Sequence, residues 1–183
     1  MTRTRQKLNE ARYFLAKLDE HYFDHVRGMF DENRPPPVFA YYLSAFLSAA
    51  RSVTWVMRHE YVRILGWKDW FRNQNVTEQQ RVLLKVFNDL RVRSNKLEPL
   101  PLGHSIRFLG EHDAPERDPR LPRLQVTIRT ADEREEVIHS GEVAAFSWTL
   151  DDFDGEDLLP SCKQYVELLA SLVEDCEQRF DAG

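Results

Sequence analysis

The feature that most constrains this chain is the apolar run from Val38 to Met57, which must leave water either in a lipid bilayer or in a protein core. Arg51 stands inside the run among Ser44, Ser48, Ser52 and Thr54, and a cation at bilayer depth costs about 3 kcal/mol or more. A buried core helix is therefore the better reading. It is predicted to start at Pro37, a residue suited to a first helical turn, and to extend to about Leu65, where Gly66 breaks it. Phe39, Tyr42, Phe46, Val53 and Met57 supply bulk, while Ala45, Ser48, Ala49 and Ser52 form small rows that admit a neighbouring backbone. This is the expected central helix.

Other segments supply its neighbours. From Arg5 to Phe30, apolar residues at Leu8, Ala11, Phe14, Leu15, Leu18, Tyr22, Val26 and Met29 make one helical stripe, which Pro35, Pro36 and Pro37 prevent from continuing. Trp67, Trp70 and Phe71 form an aromatic knot, predicted as a short helical turn folded over the core. Thr77 with Gln80 is a capping box that opens a third long helix through Val82, Leu83, Val86, Phe87 and Leu90, ending near Leu97 before Pro99 and Pro101.

The period then changes from helical to alternating. Ile106 and Phe108, then Leu124, Val126 and Ile128, then Val137, and finally Phe146, Trp148 and Leu150 predict two or three antiparallel strands, with a surface loop at 111–120. A last helix runs to about Phe180 with Leu159, Cys162, Tyr165, Val166, Leu169, Leu172, Val173 and Cys176 inward. The expected fold is mainly α (α+β). It is an antiparallel four-helix bundle with a small antiparallel β-sheet inserted between helices three and four, at about 104–150. A chain of 183 residues suits a single domain over 1–183.

Charge and cysteine content narrow the function classes. A net charge of −5 disfavours nucleic-acid binding by bulk electrostatics, although Arg91, Arg93, Lys96, Arg107, Arg117, Arg120 and Arg123 thicken the middle of the chain with base. Cys162 and Cys176 share one helix about 21 Å apart, too far to bridge. The charged, polar opening residues lack the apolar core of a signal peptide, so the sequence predicts a cytoplasmic chain with no membrane partner.

Candidate chemistry is sparse. His21 and His25 lie four apart on one helical face, where His59 or Glu60 would have to complete a metal site, and Tyr22 stands where a metalloprotease helix needs glutamate. Asp151, Asp152, Asp154, Glu156 and Asp157 do not form an EF-hand loop, because Leu150 and Ser161 occupy ligand positions; they suit a helix N-terminus instead. With no glycine-rich phosphate loop and no nucleophile elbow, no metal, cofactor or catalytic residue is assigned.

The run Leu90, Arg91, Val92, Arg93, Ser94, Asn95, Lys96, Leu97, Glu98, together with the Ala- and Ser-rich second helix, resembles the HEPN-type family of four-helix modules. Many of its members carry an arginine followed a few residues later by histidine, and some are RNases or toxin components. The resemblance implies an arginine and a histidine meeting at a dimer groove, the one stabilising a phosphate, the other moving a proton. Arg93 matches the arginine; Glu98 stands about where the histidine would, and His104 lies beyond Pro99 and Pro101. Arg91, Arg93, Lys96 and His104 are thus the candidate polyanion-binding set, and a cationic helix C-terminus is the plainer reading of the arginines.

Two function classes follow. Abundant aromatics without a complete catalytic set favour a helical binding or scaffold module that forms a homo-oligomer or grips a protein partner. The alternative is a HEPN-like RNA-binding protein or endoribonuclease toxin component acting through the basic end of helix three.

Overall fold

A computed structural model describes residues 1–24, 38–74, 76–95, 100, 102–108, 120, 123–129, 135–150, 153 and 155–180. The chain is mainly helical, with a small antiparallel sheet between its last two helices. Five helices are described rather than four: α1 (Arg3–Glu20), α2 (Val38–Tyr61), α3 (Trp67–Arg72), α4 (Glu78–Asn95) and α5 (Leu158–Phe180). The strands are β1 (Gly103–Phe108), β2 (Arg123–Arg129) and β3 (Glu135–Thr149), in the order β1-β3-β2. The fifth helix is the six-residue α3, made by the aromatic knot. No described helix is long and apolar enough to cross a membrane.

Two helix ends fall short of the sequence pattern. The first stripe was expected to reach Phe30, but α1 ends at Glu20 and residues 21–23 turn. Tyr22 and Phe23 leave the helical phase because their rings are used elsewhere: both pack on Phe146 of β3. Val26, Met29, Pro35, Pro36 and Pro37 lie outside the described residues, as do Leu97, Pro99 and Pro101. α2 ends at Tyr61 instead of Leu65; Ile64 and Leu65 are exposed, and Gly66, at φ 81°, reverses the chain into α3. A left-handed φ without a Cβ penalty is the reason glycine stands there.

α2 is central: it touches α1, α4 and α5, and its contact with α1 is the most extensive between any two helices described. The small residues divide. Ala49 and Ala50 are buried, whereas Ser48 faces water and Ala45 and Ser52 lie half-buried. α1 runs antiparallel to α2, with Thr4 bonded to Glu60 at one end and His21 stacked on Tyr42 at 5.0 Å at the other. Ser44 meets Ser94 at 2.7 Å, joining the start of α2 to the end of α4. Phe87 of α4 stacks on Tyr165 of α5 at 4.4 Å, and burial pushes the Tyr165 phenol up to about 12.

The local signals for α4 and α5 operate as chemistry requires. Thr77 N–H donates to Gln80 Oε1 at 2.9 Å and Gln80 N–H donates to Thr77 Oγ1 at 3.2 Å, a reciprocal box that satisfies two otherwise unpaired donors. Asp157 Oδ1 accepts from Leu159 N–H at 3.4 Å ahead of α5, whose first turn itself holds no acid. Asp151, Asp152 and Asp154 lie outside the described residues. Cys162 and Cys176 are both buried.

β3 unites what reads in sequence as two separate strands. Its residues 143–149 pair with β1 and its residues 135–142 with β2, with Gly141 opposite Leu124 at the changeover. The inner half delivers Phe146 and Trp148 to the helices. Trp148 stacks on Phe39 at 4.6 Å, nearly parallel, and its Nε1–H donates to the Tyr22 carbonyl at 3.0 Å. The Tyr22 hydroxyl donates to the Phe146 carbonyl at 3.2 Å, and burial, then a hydrogen bond to Asp157, raises its pKa far above the ordinary value.

Candidate functional site

Of the candidate polyanion set, Arg91, Arg93 and His104 lie among the described residues. α4 stays helical through Asn95, so Arg91 and Arg93 leave it roughly 200° apart around the axis and do not share a face. Both are half-buried, and Arg93 lies in the last turn, where a cation opposes the negative end of the helix dipole. Lys96 lies outside the described residues. His104 is exposed on β1, opposite Trp148 in register, with its ring 6.3 Å from those of Phe146 and Trp148.

The histidine reading resolves by distance. His21 stacks on Tyr42 near the start of α2, and His59 lies 17 residues further along the same helix, roughly 25 Å away at 1.5 Å per residue. They cannot hold one ion. His25 lies outside the described residues. Among the described residues no three metal-ligating side chains cluster; the His21 Nδ1 instead pairs with Asp24 at 2.6 Å.

The best-built polar cluster was invisible in the sequence. Glu60, near the end of α2, accepts from the backbone N–H groups of Arg3 and Thr4 at 3.0 and 2.9 Å and from the Thr4 hydroxyl at 2.7 Å. Thr4 is the one fully buried polar residue among those described. Partial desolvation pushes the Glu60 carboxyl up, but these donors outweigh it and hold the value below the ordinary carboxylate range. On the other side of the same turn, Arg5 forms a forked ion pair with Glu177 of α5, whose Oε1 also accepts from the Thr2 hydroxyl at 2.8 Å. The Arg5 guanidinium holds the Glu177 carboxyl below its usual value. Two carboxylates, 117 residues apart in sequence, thus clasp the first turn of α1. Nothing local in either helix announces it.

Apolar surface is left open beside the clasp and between α4 and α5. Beside the clasp, Arg3, Trp55, Val56 and His59 line a pocket of about 460 Å³, with the Trp55 and His59 rings 4.2 Å apart. Between α4 and α5, Val82, Leu83, Val86 and Leu168 line a pocket of about 480 Å³. The aromatic knot is not such a surface: Trp67 and Trp70 are buried, and Trp70 Nε1–H donates to Asp175 at 2.9 Å. It caps the core.

No family model matches the chain, and no curated protein and no solved structure matches it.

Proposed function

We propose that this chain is a non-catalytic binding or scaffold module that works through its helical faces and self-associates. The observation that carries the reading is the outward side of α2, where Tyr41 is 61% and Trp55 58% exposed. Large aromatics held out in water on a rigid helix are costly to solvate and are the residues most enriched at the centres of interfaces. An antiparallel bundle of α1, α2, α4 and α5 is the scaffold proposed for them, supported by the α1–α2, α2–α4 and α4–α5 pairings described above. Sedimentation across a wide concentration range tests it. Self-association is the expected outcome; a strict monomer at high concentration that also captures no protein partner would reject the reading.

A second reading keeps the HEPN-like resemblance: an RNA-binding protein or endoribonuclease toxin component using the basic end of α4. Arg93 at the close of α4 and the exposed His104 beside Phe146 favour it, since an imidazole next to an aromatic suits a stacked base. Incubation with mixed RNA, comparing the protein with its Arg93→Ala variant, decides the matter. Cleavage or binding unaffected by that substitution excludes this reading.

A further inference from the structure

The first half of α4 is incompletely covered. No residue at 78–86 is buried, and the first buried side chain of the helix is Phe87. Leu83 and Val86 line the pocket of about 480 Å³ between α4 and α5, while Leu84 lines a second one of about 370 Å³. Four helices wall this second pocket, with Thr54 of α2, Phe71 of α3, Leu84 of α4, and Leu168 and Leu172 of α5. It is an enclosure between packed elements rather than an open helix face. Its volume falls within the range of small-ligand sites, about 300–1,000 Å³.

Its polar groups say which ligand suits it. Gln74 and Asp175 line the same pocket and are both tied to Trp70. Asp175 Oδ2 accepts from the Trp70 indole N–H at 2.9 Å, and the Gln74 side-chain N–H donates to the Trp70 carbonyl at 3.1 Å. Each therefore has an oxygen left, Asp175 Oδ1 and Gln74 Oε1, which no described residue engages. Asp175 is the one charged side chain among those that line the pocket. Arg51 Nη1 is spent on the Thr54 hydroxyl at 2.7 Å, and that hydroxyl donates back to the Arg51 carbonyl at 3.3 Å. Among the described residues Arg179, one turn beyond Asp175 on α5, forms no ion pair with it. The Gln80 oxygen is likewise spent, on the Thr77 N–H. Asp175 is exposed, so a cation beside it keeps part of its hydration, while the half-buried leucines take an apolar body.

We propose that this pocket binds a small apolar primary amine. The ammonium donates to Asp175 Oδ1 and Gln74 Oε1, and the apolar body covers Phe71, Leu84, Leu168 and Leu172. A carboxylic acid of the same shape meets the Asp175 charge, and a neutral alcohol loses the ionic part of the contact. The site does not depend on the self-association proposed above, so either can fail alone.

Titration followed by the indole N–H resonance of Trp70, which bonds Asp175 directly, tests the proposal on the full chain. Phenethylamine is expected to shift it saturably, with dissociation at about 0.1–1 mM. Phenethyl alcohol binds about fivefold more weakly and phenylacetate more weakly still. Asp175→Asn keeps a carbonyl oxygen for the indole, weakens the amine about fivefold and leaves the alcohol unchanged. Leu84→Trp fills the pocket and abolishes binding of both, with thermal melts confirming that each variant folds. No saturable shift up to about 10 mM amine, well above the range expected for a ligand of this size, overturns the proposal. So does equal binding of amine and phenylacetate, or amine binding that Asp175→Asn does not weaken.

Discussion

The two ends of α1 are held by different chemistry. At its start, Arg3, Thr4 and Arg5 are gripped by Glu60 and Glu177, carboxylates that bond to backbone N–H groups, a hydroxyl and a guanidinium. Just past its end, Tyr22 and Phe23 enter a cluster with Phe39, Phe146 and Trp148, where rings pack at 4.6–6.1 Å and the hydrogen bonds run from side chain to main-chain carbonyl. The first grip depends on charge and so on pH; the second depends on buried area and shape. The same helix is thus anchored once by something a proton can release and once by something only a cavity can.

Breaking the aromatic end has the largest expected effect. Trp148→Ala removes a nearly fully buried ring and its bond to the Tyr22 carbonyl, a loss of about 3–5 kcal/mol, read as a lowered denaturation midpoint. At the other end, Glu60→Ala leaves the Thr4 hydroxyl and two N–H groups without their acceptor and costs about 1–2 kcal/mol by the same measurement.

Acid should separate the two ends. Glu60 and Glu177 both titrate below their ordinary values when folded, so their contribution is complete above the unfolded value of about 4.3 and is lost as pH falls through the lowered folded values. Thermal melts are expected to be level down to about pH 5 and to decline below it. In a Glu60→Gln, Glu177→Gln double variant the part of that decline owed to these groups disappears, whereas Trp148→Ala leaves its slope intact. The smallest effect belongs to Lys7→Ala, which loses only an exposed pair with Glu10 and is expected to shift stability by about 0.3 kcal/mol.

Legibility in the sequence followed the range of each interaction. The Thr77–Gln80 box spans three residues and could be read directly; the capped start of α4 was where it said. Apolar periodicity placed the long helices and the strands, because burial of one face leaves its period in the chain. It misjudged the ends. Tyr22 continues the stripe of α1 in sequence yet turns out of it, since packing on β3 overrode the local pattern, and the two strand signals around Gly141 proved to be one strand serving two partners. Helix phase was equally hidden: the small residues of α2 read as rows that admit a neighbouring backbone, whereas Ser48 faces water. The clasp on α1 had no local trace at all, being made between residues 56 and 175 positions apart.

The grip of Glu177 on the first turn of α1 also sets an order of events during synthesis. A ribosome adds roughly 5–20 residues per second, so about 6–24 s pass between completion of Tyr61 and completion of Phe180. For that interval α1 and α2 can pair while the side of α1 that α5 will cover has no complete cover. Until Phe180 is made, the first turn of α1 has Glu60 but not yet Glu177 to hold it.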